Sequence, residues 1–306
     1  MSETPKYSVI VPVYNSADTL KELIERINNT MRNYSSYEII CIDDFSTDNS
    51  WNNLITLKKD NEHLRLIKFT KNFGQAAATL CGIRKAKAKI MIVIDDDLQY
   101  PPEEIKKLID HFNPKEKYIL FGVPKIKQRS LFNKLISNGI TLFLNKVILK
   151  TKNKIGFSTF KIFTKKNFDV ESYNEQTLKS QQIFFKMVSP SLMDSIEVEH
   201  QKRKKGKSTY NLFKKITIAL ELILVTTELP VYFFITGIFI SFPVLLFSIY
   251  LTMISSTVTI SNLMLLIGIL LSFLSMCIGF VFLFMYLRKI FMGLLGADVY
   301  AIWQEV

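Results

Sequence analysis

The feature that most restricts the fold of this chain is a long uncharged stretch near its C-terminal end. Between Leu229 and Leu287 there is no Asp, Glu, Lys, Arg or His. Two apolar runs, Leu229–Ile254 and Leu263–Leu287, flank a short polar segment, and each exceeds the ~20 residues that cross the hydrocarbon core of a bilayer. A soluble protein of 306 residues could hardly bury two such helices as a core hairpin. The stretch therefore predicts a transmembrane hairpin.

Basic residues on both sides of this hairpin predict its orientation. The segment before it is rich in Lys and Arg, Arg288 and Lys289 follow it, and the connecting loop has no charge. By the positive-inside rule both ends face the cytoplasm. Cys41, Cys81 and Cys277 have neither disulfide nor zinc spacing, which indicates a reducing compartment. We therefore predict a multi-pass protein of the inner (plasma) membrane with a cytoplasmic folded domain and no cleaved N-terminal signal peptide.

Before the hairpin, strand-like and helix-like segments alternate. The predicted strands are Tyr7–Val13, Glu38–Asp43, Leu64–Phe69, Ile90–Ile94 and Tyr118–Gly122. The predicted helices are Ala17–Met31, Ser50–Lys59, Gln75–Lys87 and Pro102–Phe112. This order predicts an α/β fold with a Rossmann-like, mostly parallel sheet and helices on both faces.

Two later segments have apolar residues at helical spacing, with lysines among them: 130–150 and 211–228. Each segment could pack on the sheet as a surface helix or lie in the membrane interface. Closeness to the hairpin favours the interface for the second. We therefore divide the chain into a nucleotide-sugar-binding core (1–128), an acceptor-side segment (129–210), an interfacial helix (211–228), the hairpin (229–287) and a cytoplasmic tail (288–306).

Acidic and polar segments follow three of the predicted strands, where open α/β sheets bind their ligands. The first strand ends at Pro12-Val13-Tyr14-Asn15, the second leads into residues 43–48, and the fourth into Asp95-Asp96-Asp97-Leu98-Gln99. Neither a Gly-x-Gly-x-x-Gly after the first strand nor a P-loop motif is present. A dinucleotide oxidoreductase and a P-loop hydrolase therefore lose their main support.

Three consecutive carboxylates, Asp95 to Asp97, need a cation to offset their repulsion at a strand end. Oxygen ligands that bridge to phosphates are what Mg²⁺ and Mn²⁺ prefer, which predicts one of these ions as cofactor. An acidic turn that caps the helix after Pro101 is the structural alternative. A glycoside-hydrolase carboxylate pair fits poorly, because residues two apart cannot flank a glycosidic bond from opposite sides.

Five motifs carry a family resemblance: Pro12-Val13-Tyr14-Asn15, Asp43-Asp44-x-Ser46-x-Asp48, Asn72-Phe73-Gly74-Gln75, Asp95-x-Asp97-Leu98-Gln99-x-Pro101-Pro102-Glu103 and Arg203-x-x-Gly206-x-Ser208-x-Tyr210. In this order they resemble the polyprenyl- and dolichyl-phosphate sugar synthases of glycosyltransferase family two. The hairpin is similar to that of bacterial members that glycosylate undecaprenyl phosphate. The resemblance covers residues 7–215.

The resemblance implies a GT-A fold and assigns roles to residues. The metal ligands are Asp95, Asp97 and Gln99, and the catalytic residues are Asp97 and Arg203. Asp43 reads the nucleobase, and the nucleotide-sugar site consists of Pro12, Tyr14, Asn15, Asp43, Asp44, Gly74, Gln75, Asp95 and Asp96. Basic and hydroxyl side chains bind the acceptor phosphate: Lys125, Arg129, Lys134, Arg203, Lys205 and Ser208.

Two positions depart from the family pattern. Ser16 stands where many relatives have Glu, so one donor contact is changed. Thr159 stands where bacterial relatives have an Asp proposed as the base, and a hydroxyl cannot replace a carboxylate in that role. A lipid phosphate is already mostly a dianion at neutral pH, so the acceptor can attack without a protein base.

The predicted function is inverting transfer of a hexose-type sugar from a nucleotide-sugar, a UDP-sugar being favoured, to polyprenyl phosphate for cell-envelope glycan modification. A processive polysaccharide synthase is disfavoured because Trp51 and Trp303 lie outside any Gln-x-x-Arg-Trp motif. A non-catalytic membrane module stays an alternative. The net charge of +12 suits phosphates or anionic lipid, and nothing indicates a nucleic-acid partner. The sugar, the nucleobase and homo-oligomerisation stay open.

Overall fold

The computed structural model describes residues 4–34, 36–125, 146, 155–164, 188–201, 229–254, 258–294 and 300–306. The chain forms two compact units. The first consists of Met1–Thr209 together with Ala297–Val306, and the second is Tyr210–Gly296. The chain therefore leaves the first unit, passes through the second and returns to the first.

An eight-stranded sheet lies at the centre of the first unit. Its strands are β1 (Tyr7–Val13), β2 (Tyr37–Asp43), β3 (Leu64–Phe69), β4 (Ile90–Val93), β5 (Ile119–Pro124), β6 (Lys161–Thr164), β7 (Met193–Val198) and β8 (Ile302–Glu305). Their order is β7-β5-β6-β4-β1-β2-β3-β8. Every neighbouring pair is parallel except those that involve β6 and β8. The predicted mostly parallel α/β sheet is confirmed, and β6, β7 and β8 are additions to it.

Helices cover both faces of the sheet. They are α1 (Leu20–Met31), α2 (Ser50–Lys59), α3 (Gln75–Lys85) and α4 (Glu104–His111). Val9 and Val11 of β1 share a buried core with residues of α1, α2 and α4. Gly82 of α3 packs on the opposite face, where an added Cβ would lie 2.9 Å from Cδ1 of Ile42 and would also collide with Ile10. This arrangement follows from the alternation of side chains along a strand.

The second unit contains two long helices, α5 (Leu229–Ile254) and α6 (Val258–Leu294). They pack together, since Ser272 Oγ donates to the carbonyl of Ser241 at 3.0 Å. Among the described residues, Leu265–Leu287 is long and apolar enough to cross a membrane, with a mean hydropathy of 2.6, and Ser241–Ile254 is a shorter apolar helix. Many large apolar side chains on both helices are exposed, Phe239 among them at 73%.

The end of the predicted cytoplasmic tail belongs to the sheet, because residues 302–305 form β8. The predicted amphipathic segments 130–150 and 211–228 lie outside the described residues, apart from Lys146.

Candidate active site

The loops that follow β1, β2, β3 and β4 meet at the carboxyl edge of the sheet. Each contains one residue with a positive φ angle: Asn15 at 52°, Phe45 at 60°, Gly74 at 93° and Leu98 at 59°. Such angles are uncommon outside glycine and persist only where surrounding contacts hold the backbone. The edge is therefore a set of loops held in defined conformations.

Asp96 joins the β4 loop to the β1 loop. Its Oδ2 accepts hydrogen bonds from the backbone N–H of Tyr14 at 2.9 Å and from Ser16 Oγ at 2.5 Å, and its carbonyl accepts from Thr19 Oγ1 at 2.7 Å. Burial raises the pKa of Asp96 to about 7. The middle carboxylate of the acidic cluster thus holds the loop, and Ser16 takes part in that contact.

Asp95 lies between donors from two other elements. Gln75 Nε2, at the start of α3, donates to Oδ1 at 2.6 Å, and Thr159 Oγ1, two residues before β6, donates to Oδ2. Burial raises the pKa of Asp95 to about 6. Lys161 of β6 is buried nearby, and burial lowers its pKa to about 8 while the charge of Asp95 opposes this shift. Thr159 therefore orients a carboxylate of the acidic cluster.

Asp97 and Gln99 complete the β4 loop. The backbone N–H of Gln99 donates to Asp97 Oδ1 at 3.0 Å, and the carbonyl of Gln99 accepts from the N–H of Gln201 at 2.8 Å. This second bond brings the chain that follows β7 to the acidic loop, immediately before the basic motif that contains Arg203. In the described part of the chain no three His, Cys, Asp or Glu side chains form a ready-made metal cage.

The adjacent carboxylates Asp43 and Asp44 have different surroundings. Asp44 accepts the backbone N–H groups of Phe73 at 2.7 Å and Gly74 at 2.8 Å, so it clamps the loop before α3. Oδ2 of Asp43 accepts the N–H of Ser46 at 3.3 Å, while its Oδ1 is buried with no hydrogen-bond partner among the described residues. Burial raises the pKa of both carboxyls, that of Asp44 to about 6. A buried acceptor without a donor is costly unless a ligand supplies one.

Two exposed aromatic rings lie in the loops that follow β1 and β2, the second of which follows Asp43 directly. Tyr14 and Phe45 are 46% and 40% exposed, so both can meet a planar ligand. Asn15 fixes the spacing between them, because its N–H donates to Ser46 Oγ at 3.0 Å and its Oδ1 accepts from the N–H of Thr47 at 2.8 Å.

The residues predicted to bind the nucleotide-sugar and the metal all belong to the described part of the chain. They lie in or beside these loops: Pro12, Tyr14, Asn15, Asp43, Asp44, Gly74, Gln75, Asp95, Asp96, Asp97 and Gln99. Pro12 is buried within β1, and Lys125 is an exposed residue just after β5. The predictions for Arg129, Lys134, Arg203, Lys205 and Ser208 lie outside the described residues. Sequence reasoning missed Lys161 and the contact between Thr159 and Asp95.

Comparison with known families decides the class of this site. The family described as Glycosyl transferase family 2 matches residues 8–170, more than half of the chain. The chain belongs to glycosyl transferase family 2. It is a glycosyltransferase with the GT-A fold, and the family part of the sequence resemblance is confirmed.

This glycosyltransferase is similar to solved structures of low sequence identity, and those with a TM-score above 0.5 share its fold. Glucosyl-3-phosphoglycerate synthase from Mycobacterium tuberculosis, in complex with Mn²⁺, UDP and glucosyl-3-phosphoglycerate, has a TM-score of 0.52 and 14% identity over 72% of this chain and 78% of that one. The same enzyme with Mn²⁺ and UDP-glucose has a TM-score of 0.52 and 13% identity, over 72% and 77% of the two chains. A mannosyltransferase from Pyrobaculum calidifontis, with GDP-mannose and Mn²⁺, is less similar, with a TM-score of 0.48, 16% identity and 67% and 59% coverage.

The raised pKa of Asp96 leads to a prediction on stability. A carboxyl with a pKa of about 7 in the fold and near 4 when unfolded binds its proton more tightly in the fold, so its contribution to stability falls as pH rises between these values. Asn at this position keeps an acceptor for Tyr14 and Ser16 without the charge. In metal-free buffer we expect Asp96→Asn to stabilise the protein more at pH 8 than at pH 6, by about 1 kcal/mol. Denaturant unfolding at both pH values measures the difference, and an equal effect at both contradicts the assigned cause.

Proposed function

We propose that this glycosyltransferase moves a hexose-type sugar, with inversion, from a UDP-sugar to polyprenyl phosphate such as undecaprenyl phosphate. The reaction takes place at the cytoplasmic face of the inner membrane and serves glycan modification of the cell envelope. One observation supports the nucleotide-sugar part of this proposal. At the carboxyl edge of the sheet, the Oδ1 of Asp43, which has no hydrogen-bond partner among the described residues, occurs together with the carboxylates of Asp95 and Asp97.

Base recognition follows from the acceptor character of Asp43. Uracil presents a ring N–H, and the buried Oδ1 of Asp43, to which no group in the described part of the chain donates, is a suitable partner for it. The exposed rings of Tyr14 and Phe45 offer faces for a planar base. The M. tuberculosis enzyme of the same fold was crystallised with UDP and with UDP-glucose, which supports a uridine donor.

The acidic loop after β4, residues 95–99, suits Mg²⁺ or Mn²⁺. One or two carboxylates, with the remaining positions taken by substrate phosphates and water, form the usual protein set for these ions. Asp97 and Asp95 would hold the ion and Gln99 would support it. The M. tuberculosis structures are complexes with Mn²⁺ and either UDP or UDP-glucose. When bound, the cation neutralises the departing diphosphate.

The side chains around the loop prepare this chemistry. Gln75 and Thr159 each donate to one oxygen of Asp95 and so fix the carboxylate, while the buried Lys161 supplies a neighbouring positive charge. An oxygen of the acceptor phosphate forms a bond to the anomeric carbon as the bond to the nucleoside diphosphate breaks. Because that phosphate needs no deprotonation, Thr159 at the family's base position is compatible with the reaction.

Chain connectivity supports the membrane part of the proposal. Residues before 210 and after 296 belong to the same compact unit, and a bilayer cannot cut through a folded sheet. If α6 crosses the membrane at Leu265–Leu287, the chain must cross a second time to return, and α5 is the helix available for that crossing among the described residues. A hairpin with both ends on the cytoplasmic side satisfies this condition, and it leaves the catalytic domain beside a lipid-borne acceptor.

A direct assay tests the proposal. Detergent-solubilised protein is incubated with UDP-, GDP- and dTDP-sugars, undecaprenyl phosphate and Mn²⁺, and mass spectrometry identifies the product. We expect a monoglycosylated polyprenyl phosphate from a UDP-sugar, with none in EDTA, and NMR of the product should show inverted anomeric configuration. Transfer only to a soluble acceptor would refute the lipid part, and retention would refute direct displacement.

A further inference from the structure

The last seven residues, 300–306, form a segment that we call the C-terminal strap. Its strand β8 pairs antiparallel with β3 and forms one edge of the sheet. Backbone bonds hold it at both ends: the N–H of Val306 donates to the carbonyl of Leu66 at 2.9 Å, and the N–H of Thr70 donates to the carbonyl of Ala301 at 3.0 Å. The strap begins six residues after Leu294, the last residue of α6.

Salt bridges fix the far end of the strap, away from the acidic loops. Glu305 bridges Lys85 at 2.6 Å and Arg65 at 3.2 Å, and Arg65 in turn binds the buried Glu38 at 2.7 Å. The strap is therefore tied to β2, β3 and α3.

An aromatic series connects the near end of the strap to the donor site. The ring of Tyr300 stacks on Phe69 with centroids 5.1 Å apart, and Phe69 meets Phe73 edge to face at 5.6 Å. The N–H groups of Phe73 and its neighbour Gly74 are those that bind Asp44. The next residue, Gln75, orients Asp95. Tyr300 thus supports the loop that places both carboxylates.

We propose that Tyr300 is a positioning residue for the donor site, supplied by the strap that follows the apolar helices. The strap orders residues 70–75 through the ring of Phe69 and the carbonyl of Ala301, so that the loop is set before the nucleotide binds. This inference rests on the proposed donor site, and it makes nucleotide affinity depend on a residue that touches no nucleotide.

Three variants of the full chain in detergent test the proposal. Tyr300→Ala removes the stacking ring, Tyr300→Phe keeps it, and Trp303→Ala removes an aromatic ring of the same strap that is 71% exposed. We expect Tyr300→Ala to weaken UDP binding in Mn²⁺ about tenfold, as loss of one aromatic pair would do, and to raise the KM for the nucleotide-sugar with kcat at saturation kept within about twofold. Trp303→Ala should match the wild type. Tyr300→Phe keeps the ring and loses the hydrogen bonds of the hydroxyl with Arg84 and Cys81, so it should lie much closer to the wild type than Tyr300→Ala does.

Hydrogen exchange gives a second measurement that needs no ligand. In Tyr300→Ala the amides of Phe73 and Gly74 should exchange about tenfold faster, while that of Ile40 in the central strand β2 should not change. If Tyr300→Ala does not fold, Tyr300→Leu serves in its place. Unchanged exchange and unchanged UDP affinity overturn the role of Tyr300. Failure of the wild type to bind UDP overturns the proposed function instead, and the exchange comparison still decides on the strap.

Discussion

Replacement of Asp97 by alanine is expected to abolish sugar transfer, with a fall in kcat/KM of at least about 10³-fold. A cation and the groups that hold it stabilise leaving-group charge by several kcal/mol, and each 1.4 kcal/mol corresponds to about tenfold in rate. Asp97 lies in the loop after β4 and is partly exposed, so its loss should affect ligand binding far more than folding. Initial rates of nucleoside diphosphate release in the presence of polyprenyl phosphate measure the effect.

Asp60→Ala is the matched control, because Asp60 is an exposed carboxylate at the C-terminal end of α2, on the opposite edge of the sheet. It should keep wild-type rates. If Asp97→Ala retains more than about a tenth of the activity, Asp97 does not hold the metal, and the assignment of this loop as the catalytic centre fails.

Replacement of Arg65 by alanine is expected to have the largest effect on stability, a loss of about 3–5 kcal/mol. The side chain of Glu38 is 7% exposed and binds Arg65 at 2.7 Å, so removal of the guanidinium leaves a buried carboxylate without its counter-ion. Ser8 Oγ and the N–H of Lys87 also donate to this carboxylate, but they carry no charge. Denaturant unfolding followed by tryptophan fluorescence measures the loss.

Lys85→Ala supplies the comparison. Lys85 binds the same Glu305 as Arg65, but the side chains of that pair are 36% and 38% exposed. An exposed pair contributes under about 1 kcal/mol, so this variant should be nearly as stable as the wild type. Adding Glu38→Gln to Arg65→Ala should recover part of the lost stability. If Arg65→Ala and Lys85→Ala destabilise the protein equally, burial of Glu38 is not the source of the loss.

Strands β1 to β5 were predictable because they are largely apolar runs that are mostly buried. The remaining strands lack that pattern. β6 has four residues and includes Lys161, whose burial depends on Asp95 from a distant part of the chain. β8 has four residues, pairs along only one edge and exposes most of its side chains, so it has no buried apolar run. Short strands stabilised by distant partners leave little local signal.

The candidate active site likewise has features that the sequence predicts and features that it does not. Clustering of the acidic loops was predictable, because parallel strands end at one edge. The different roles of Asp43 and Asp44 were not predictable. Consecutive residues of an extended chain point to opposite sides, so two identical side chains meet different partners. Thr159 was recognised as a change at a family position. Its bond to Asp95 emerged only with β6 in place between β4 and β5.

The most direct test of the central claim is anomalous diffraction from crystals of the protein grown with Mn²⁺ and UDP. The account predicts one strong Mn²⁺ peak bound by the carboxylate of Asp97, beside the diphosphate, with the uracil N–H on Oδ1 of Asp43. A nucleotide bound away from the β1, β2 and β4 loops, or an Mn²⁺ peak with no oxygen of residues 95–99 among its ligands, would contradict it.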